Sequence, residues 1–480
     1  MNRRQFLGAA ASAALAGNAS PRLASEPASA LPPFPPGFRF GAATSCVQIE
    51  GAAREDGKGE SIWDRFSTKP GAVADGSTPA VACDSYHRWR QDLSFLASLG
   101  LRSYRFSISW PRLMPAGAGA INEKGVDHYN RLIDALLKIN VQPLVTAYHW
   151  DLPQPLEDAG GWPNRDTAAR FADYVRLLAR RYGDRVEWWC LLNEPQAFTV
   201  AGYGWGVHAP GYKDHGLTLR AIHTSNLAQG AGFRALKAER PAAKAGIAHD
   251  MVLFDPAISS DAAEQACRRF HAFRNLWFLD PAFTGKYPDA FVEGVPYEAM
   301  GWKPGDEDRI RAPLDFSGMN FYGGRLLVSV GDGPPLLKGL NAHQSGHDPA
   351  YAGAMERACL WMWNRYRRPV VITETGFDSP DALTPGGEVH DAARIAWLRN
   401  AFADIRRAML QGAEISGAHV WSLIDDWEWQ DGFKDRIGLA WVDFSDPVDR
   451  IPKDSAHWYA GLARSRCLDA RPNQASPSKS

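Results

Sequence analysis

After its first thirty residues the sequence lacks long apolar runs, and it lacks any excess of charge of one sign. No later segment approaches about eighteen uninterrupted apolar residues, the length that a membrane-spanning helix needs. Lysine and arginine number 53 and aspartate and glutamate 54, which gives a formal net charge of −1. Such a balance argues against a nucleic acid or a membrane as partner. We therefore expect a small neutral molecule as the ligand.

The six cysteines are scattered along the chain without a metal-binding pattern. They form no C-x-x-C pair and no Cys/His ligand spacing, and the sequence has neither a His-x-His nor a His-Glu-x-x-His motif. These absences argue against a zinc site and against a metal-dependent hydrolase. Whether any two cysteines pair in a disulfide stays open from the sequence.

The N-terminus has the features of an export signal. Arg3 and Arg4 precede Phe6 and Leu7, and an Ala/Gly-rich apolar stretch follows to about Gly17. This order resembles a bacterial twin-arginine signal, and a disordered, slightly basic terminus is the alternative. We expect residues 1–30 to be a signal peptide, 31–465 one folded domain and 466–480 a disordered tail, in a periplasmic or secreted protein.

After residue 37, short apolar runs typical of β-strands alternate with longer helical patterns. Eight strands, each followed by a crossover, over more than 400 residues predict a single α/β domain, a (β/α)8 TIM barrel with long βα loops. The predicted strands are 38–42, 103–107, 143–147, 187–192, 245–248, 316–319, 370–373 and 418–421. The main helical patterns are 84–99, 126–139, 167–182, 217–237 and 389–411. The Gly/Pro-rich stretch 331–348 is expected to be a long surface loop.

Two glutamates stand where two of these strands stop. Glu194 follows the fourth strand in the sequence NEP, and Glu374 follows the seventh in TETG. Because active sites of parallel barrels form at the carboxyl ends of the strands, both side chains point to the same mouth. Either one by itself could be structural, since a buried carboxylate needs at least a salt bridge. Together they meet the two-carboxylate requirement of glycoside hydrolysis.

Five segments carry a resemblance to a known family. They are FGAATSCVQIEG from Phe40, YRFSISWPR from Tyr104, YHWDLPQ from Tyr148, NEP from Asn193 and WSLIDDWEW from Trp421. In this order and at this spacing, the chain from about residue 34 to 460 resembles glycoside hydrolase family 1, the β-glucosidase family. The resemblance implies a retaining enzyme that forms a covalent glycosyl-enzyme and needs no cofactor or metal.

The resemblance also implies catalytic roles. Glu374 is the expected nucleophile, and Glu194 is the expected general acid that later acts as the base. Arg105, Asn320 and Tyr322 complete the catalytic set, with Arg105 and Tyr322 holding Glu374 ionised because a nearby cation lowers a carboxyl pKa by roughly 1–3 units. The charge of Glu374 is expected to raise the pKa of Glu194 until the glycosyl ester forms. A retaining mechanism places the two carboxyl groups about 5–5.5 Å apart.

The expected sugar-binding set grips the ring hydroxyls, with Trp421 as a stacking platform. Its members are Gln48, His149, Trp150, Asn193, Trp421, Glu428 and Trp429. From position alone, His149 could be a core histidine and the tryptophans could be core residues, and we expect the latter of Trp427. Asp425 and Asp426 could cap a loop. The acidic Glu428 would repel a phosphate, so a sugar with a free 6-hydroxyl is expected.

The substrate is therefore expected to be a small β-glycoside or an oligosaccharide, most simply a terminal β-glucoside. β-Galactosidase, β-fucosidase and transglycosidase activities on the same site are alternatives. A catalytically silent sugar-binding barrel is the alternative of another class, and it predicts the loss of Glu194 or Glu374. The chain departs from the family pattern at Thr375, at Asp426-Trp427 and at Gln196, where many relatives have tryptophan. The last departure leaves the leaving-group site open. The aglycone depends on the long loops around 197–212, 312–346 and 430–437 and stays open as well, as does the oligomeric state.

Overall fold

Eight parallel strands close into a barrel. The computed structural model describes residues 31–446 and 449–468. The barrel order is β1-β11-β10-β7-β5-β4-β3-β2, and two small sheets, β6-β8-β9 and β12-β13, lie outside it. The strands are β1 Arg39–Ala43, β2 Ser103–Ser107, β3 Gln142–Tyr148, β4 Trp188–Asn193, β5 Lys244–Asp250, β6 Phe254–Pro256, β7 Ser317–Asn320, β8 Arg325–Val330, β9 Ala342–Asp348, β10 Val370–Thr375, β11 Ile415–Trp421, β12 Ala440–Trp441 and β13 Ile451–Pro452.

Helices cover the outside of the barrel. The segment Glu123–Lys138 shows why they dock, because its buried Val126, Tyr129, Ile133 and Leu136 recur at helical spacing. The α-helices are Cys46–Ile49, Ile62–Phe66, Ser85–Ser98, Trp110–Leu113, Glu123–Lys138, Gln154–Asp158, Asp166–Tyr182, His215–Glu239, Asp261–His271, Trp277–Thr284, Tyr297–Met300, Asp306–Ile310, Ala354–Tyr366, Ala392–Leu410 and Asp454–Ser465. Two π-helical segments, Ala197–Trp205 and Ala272–Leu276, follow β4 and β5.

The interior of the barrel is filled with side chains. His419 on β11 bonds Ser103 Oγ on β2 at 2.8 Å and donates from Nδ1 to the Ile372 carbonyl on β10 at 3.0 Å. A Cβ atom at Gly41 on β1 would lie 2.5 Å from the His419 ring, so only glycine fits there. Burial lowers the pKa of His419 to about 3, which keeps the ring neutral. The barrel floor is thus closed and the mouth is left for a ligand.

The barrel fold predicted from the sequence is confirmed, and each predicted strand overlaps a barrel strand. One prediction is wrong. Residues 331–348 are not only loop, because Ala342–Asp348 pairs antiparallel with β8. The folded part also extends past the predicted boundary at 465, since the Arg466 carbonyl accepts the Phe34 N–H at 2.9 Å and Leu468 is buried. The predicted signal peptide 1–30 and residues 469–480 of the predicted tail lie outside the described residues.

Three further findings bear on the sequence-based expectations. All six cysteines lie within the described range and carry free thiols, so none is paired in a disulfide. Across residues 31–446 and 449–468, no helix is both long and apolar enough to cross a membrane. Within the same residues, no three His, Cys, Asp or Glu side chains gather in a way that could hold a metal ion.

Candidate active site

All twelve predicted site residues meet at the carboxyl ends of the barrel strands. Hydrogen bonds and ring contacts join them into one continuous network. A pocket opens beside this network. It is lined by Trp150, Glu194, Ala197, His208, Asp250, Tyr322, Glu428, Trp429, Gln430 and Asp431.

Glu374 is fully buried at the end of β10 and is held from two sides. Arg105 Nη1 donates to its Oε1 at 2.5 Å, and Tyr322 Oη donates to its Oε2 at 2.6 Å. The guanidinium also donates from Nε to Thr146 Oγ1 at 3.0 Å and from Nη2 to Asn193 Oδ1 at 2.6 Å, so its orientation is fixed. Burial lowers the pKa of Arg105 and the charge of Glu374 raises it, with a net upward direction. The buried cation therefore stays charged beside the carboxylate.

Glu194 directly follows β4 and stands in the left-handed backbone region, with φ 44°. Asn320 Nδ2 donates to Glu194 Oε1 at 2.7 Å, and the Asn320 amide is itself oriented by Thr373 Oγ1, which donates to its Oδ1 at 2.6 Å. Because Oε1 accepts this N–H, a proton carried by Glu194 belongs on Oε2. Non-glycine residues rarely adopt the left-handed backbone conformation, and those that do cluster at active sites.

Asn193 links the two carboxylates to His149, a predicted sugar-binding residue. Its Oδ1 accepts from Arg105 and, at 3.1 Å, from Asn320 Nδ2, so its Nδ2 must face His149 Nε2, which lies 3.0 Å away. This assignment makes Nε2 of His149 an acceptor and places the ring proton on Nδ1. Trp150 Nε1 donates to the Asn193 carbonyl at 2.9 Å. His149 is therefore part of the mouth rather than an isolated core histidine.

Glu428 lies on the far side of the mouth, in the loop that follows β11. Its Oε1 accepts from Gln48 Nε2 and from Trp421 Nε1, each at 3.2 Å. Ser45 Oγ donates to Gln48 Oε1 at 2.7 Å and so fixes the direction of the Gln48 amide. A carboxylate beside a side-chain amide brings acceptors and a donor together, and a ligand with neighbouring hydroxyls can use both.

Aromatic rings form the remaining wall. Trp429 lies 4.4 Å from Trp150 between ring centroids and stacks on His149 at 5.9 Å, while Trp421 lies 5.5 Å from His149. Trp427 is fully buried against Trp63, as expected of a core residue. Rings of this kind offer apolar faces to the C–H faces of a sugar.

Several pocket residues were missed by the sequence analysis. They are Ala197, His208, Asp250, Gln430 and Asp431. The sequence held a signal for Asp250. It is the last residue of β5, so it stands at a strand end as Glu194 and Glu374 do, and the expectation that active-site residues lie at the carboxyl ends of the strands applies to it as well. The other four fall within the predicted loops 197–212 and 430–437. Ala197 begins the π-helical segment Ala197–Trp205, and Gln430 and Asp431 belong to the 3₁₀ helix Trp429–Asp431, so their positions depend on tertiary packing that a local pattern does not contain.

Of the departures from the family pattern, Thr375 donates from Oγ1 to the Phe321 carbonyl at 2.9 Å and faces away from the carboxylates. Asp425 is buried in ion pairs with Lys453 and Arg436, which anchor the loop.

Comparison with known proteins agrees with this geometry. Residues 31–467 match the family model described as glycosyl hydrolase family 1. The chain is 38% identical over 444 residues to the 1,4-beta-D-glucan glucohydrolase of Thermotoga neapolitana, covering 91% of this chain and 99% of the relative. It is 39% identical over 446 residues to beta-glucosidase A of Thermotoga maritima, with 91% and 99% covered.

Among solved structures, the family 1 β-glucosidase from Thermotoga maritima superposes with a TM-score of 0.86 at 37% identity. The superposition covers 91% of this chain and 99% of that chain. The family-model match extends over the whole barrel and includes each of the strand ends that carry the site. The chain belongs to glycosyl hydrolase family 1.

Proposed function

We propose that the protein is a retaining β-glucosidase that releases terminal β-D-glucosyl residues from the non-reducing end of its substrates. One observation carries the proposal. Glu374, a buried carboxylate that accepts from a guanidinium and a phenol, lies at the same end of the barrel as Glu194, a second carboxylate that an amide orients. This pair has the composition that a double displacement requires. The names of the relatives support glucose as the sugar.

In the first step, Glu374 attacks the anomeric carbon while Glu194 protonates the departing oxygen. Arg105 and Tyr322 hold both oxygens of Glu374, so the attacking carboxylate keeps one orientation. The donor from Asn320 leaves Oε2 of Glu194 to carry the transferred proton. The products of this step are a glucosyl ester on Glu374 and a free leaving group.

In the second step, Glu194 takes a proton from water, which attacks the same anomeric carbon and breaks the ester. The charge of Glu374 is neutralised while the ester exists, so Glu194 no longer faces a second negative charge and acts as a base. Two inversions at one carbon retain the β-configuration. Gln48 and Glu428 hold the ring through its hydroxyls during both steps.

The decisive test compares hydrolysis of p-nitrophenyl β-glycosides by the wild type and by two variants. We expect the wild type to cleave the β-glucoside with the β-anomer of glucose appearing first by proton NMR. Glu374→Gly should abolish turnover, whereas Glu194→Ala should regain turnover with azide, since the activated phenolate needs no acid and azide replaces the water that needs a base. Asp404→Asn, which neutralises a buried carboxylate on an outer helix, is the matched control and should keep its activity.

Two results would overturn the assignment. A wild type that is inert on every β-glycoside removes the proposed function. A fully active Glu374→Gly variant removes the assigned chemistry. Galactoside and fucoside in the same panel decide between glucose and its C4 epimer as the preferred sugar, because relative kcat/KM values report transition-state binding alone.

Export by a twin-arginine pathway is proposed separately, from the sequence. The paired Arg3 and Arg4 ahead of an apolar stretch support it. Changing both arginines to lysine should retain the protein in the cytoplasm of a bacterial host that has this pathway, whereas the unchanged chain should be recovered outside it. Equal distribution of the two proteins would remove the proposal.

A further inference from the structure

We propose that Asp250, supported by Arg274 and Gln196, binds a hydroxyl of the leaving group, and that the natural leaving group is therefore a neutral hydroxylated one such as a sugar. The inference rests on the proposed function, because it concerns the part of the substrate that departs. It concerns the side of the pocket where the family resemblance gives no guidance, since Gln196 stands where many relatives have tryptophan.

Asp250 lies next to the proposed acid, Glu194, and across the barrel from the predicted sugar-binding residue Gln48. It ends β5, is in register with Asn320 on β7, and Asn320 is the donor to Glu194. In the order of the barrel, β5 is four strands away from β1, the strand that leads to Gln48. The pocket wall contains both Asp250 and Glu194. A group that leaves from the oxygen protonated by Glu194 therefore passes Asp250.

The carboxylate of Asp250 is held so that one oxygen is left for a ligand. Arg274 Nη2 donates to Oδ2 at 2.5 Å, and both side chains are about a tenth exposed, at 10% for Arg274 and 9% for Asp250. No described residue donates a hydrogen bond to Oδ1, although the residue lines the pocket. A nearly buried carboxylate oxygen in a ligand pocket is a strong acceptor for O–H donors.

Gln196 fixes the backbone of the same residue. Its Nε2 donates to the Asp250 carbonyl at 2.8 Å, and its buried Oε1 has no hydrogen-bond partner among the residues of the described chain. A tryptophan at this position has an indole N–H but no side-chain acceptor, so it could not supply both the N–H and the buried oxygen that Gln196 places there. The exchange at position 196 is thus coupled to the acidic group at position 250.

Two π-helical segments carry the supporting residues. Gln196 directly precedes the segment Ala197–Trp205, and Arg274 lies within Ala272–Leu276. The second segment is pinned to the chain after β5, because Asn275 Nδ2 donates to the Val252 carbonyl at 2.8 Å. Such segments are frequent at functional sites.

The charge of the pocket sets the chemical class of the leaving group. Four of the lining residues are acidic, namely Glu194, Asp250, Glu428 and Asp431. An anionic leaving group would be repelled, and a purely apolar one would leave the oxygen of Asp250 desolvated without a donor. A neutral group with hydroxyls satisfies both conditions.

The test compares two substrates that form the same glucosyl-enzyme and differ only in what leaves. These are cellobiose, with a glucose leaving group, and p-nitrophenyl β-glucoside. Because kcat/KM covers the steps through bond cleavage, its ratio between the substrates reports on the leaving-group side. Octyl β-glucoside, whose alcohol needs the same acid but has no further hydroxyls, is measured beside them, and its ratio to the phenyl substrate should stay at the wild-type value if Asp250 acts by binding and should fall with that of cellobiose if Asp250 acts through Glu194. We expect Asp250→Ala to lower kcat/KM for cellobiose about tenfold or more relative to the phenyl substrate, since a hydrogen bond to a charged group is lost.

Two variants accompany this measurement. Asp250→Asn keeps the shape and an acceptor for Arg274, and it should change the ratio in the same direction by a smaller factor. Asp280→Asn is the matched control, because Asp280 forms a similar pair with Arg365 on a nearby helix and does not line the pocket. Its ratio should equal that of the wild type. Activity on the phenyl substrate reports that each variant is folded.

Three outcomes would overturn the inference. They are an unchanged cellobiose ratio in Asp250→Ala, whether or not the two rates fall together, an octyl glucoside ratio that falls with that of cellobiose, and a wild type that cleaves the phenyl glucoside but not cellobiose. Each of these leaves the proposed β-glucosidase activity intact. A wild type without activity on either substrate removes the proposed function itself, so the two failures are distinguishable.

Discussion

Replacing Asn320 by alanine tests how the proposed acid is positioned. The change removes a 2.7 Å hydrogen bond to Glu194 Oε1 and a 3.1 Å hydrogen bond to Asn193 Oδ1, while the carboxylates and Arg105 stay in place. A hydrogen bond to a charged group contributes about 1.5–3 kcal/mol, and about 1.4 kcal/mol corresponds to a factor of ten. We therefore expect kcat/KM to fall between about tenfold and a hundredfold for a substrate that needs acid assistance.

The assay measures kcat/KM against pH for aryl β-glucosides with good and poor leaving groups. The loss should grow as the leaving group becomes poorer, because a phenolate that departs without a proton does not depend on Glu194. The alkaline limb of the profile should move to higher pH, since the lost donor favoured the ionised carboxylate. Thr373→Val is the graded companion, because it removes only the 2.6 Å hydrogen bond that orients Asn320 and should give a smaller change of the same kind.

A uniform loss across all leaving groups would refute this reasoning. It would mean that Asn320 contributes to sugar binding or to the fold and not to the proton transfer. An alkaline limb that stays at the wild-type pH would contradict it as well. The thermal unfolding midpoint of each variant, compared with the wild type, separates a positioning effect from a loss of folded protein.

Two further predictions concern charge. Glu428→Gln should lower kcat/KM for p-nitrophenyl β-glucoside about tenfold, because a charged acceptor is removed. It should raise kcat/KM for the corresponding 6-phospho-glucoside relative to that value, because the repulsion of the phosphate is removed too. An unchanged ratio of the two kcat/KM values would contradict this. Burial raises the pKa of Asp151 to about 7 from 3.8, so its stabilising contribution is complete below about pH 4 and is lost as the pH rises to 7. The difference in melting temperature between Asp151→Asn and the wild type should therefore increase in favour of the variant from pH 4 to 7. The increase should correspond to about 4 kcal/mol in the free energy of unfolding, at about 1.4 kcal/mol per pKa unit. A difference in melting temperature that does not change with pH would refute the assignment.

The barrel and the two carboxylates could be predicted from the sequence because each depends on a short stretch of chain. The run from Val370 to Thr373 is β-branched and fully apolar apart from its last residue, so strand β10 and the position of Glu374 at its end follow from local pattern. The beginning of β11 was placed three residues late, at 418 instead of Ile415, because Ser416 and Gly417 interrupt the apolar run. The predicted end of β11 at Trp421 agrees with the structure, and it positions the loop that carries Glu428.

The sheet β6-β8-β9 could not be predicted in the same way. Strand β9 reads AHQSGHD and contains no β-branched residue and little apolar surface, so its own sequence favours a loop. It is a strand because Arg325–Val330 offers a partner edge, and Arg325 fixes the end of the pair through Asp255 and Asp348. Such a pairing is decided by tertiary contacts, which a local pattern does not contain.

The two sides of the pocket differ for the same physical reason. The predicted sugar-binding residues Gln48, His149 and Glu428 stand five, one and seven positions after the end of a strand, each inside a contiguous motif. Their placement therefore follows largely from the barrel geometry. The leaving-group side needs Arg274, which lies beyond the helix Asp261–His271 and reaches Asp250 only because a π-helical turn directs it there. Position along the sequence carries no signal for that contact. Loops that a strand end does not position can change while the catalytic pair stays fixed, and this allows one barrel to keep its chemistry while the group that leaves is selected separately.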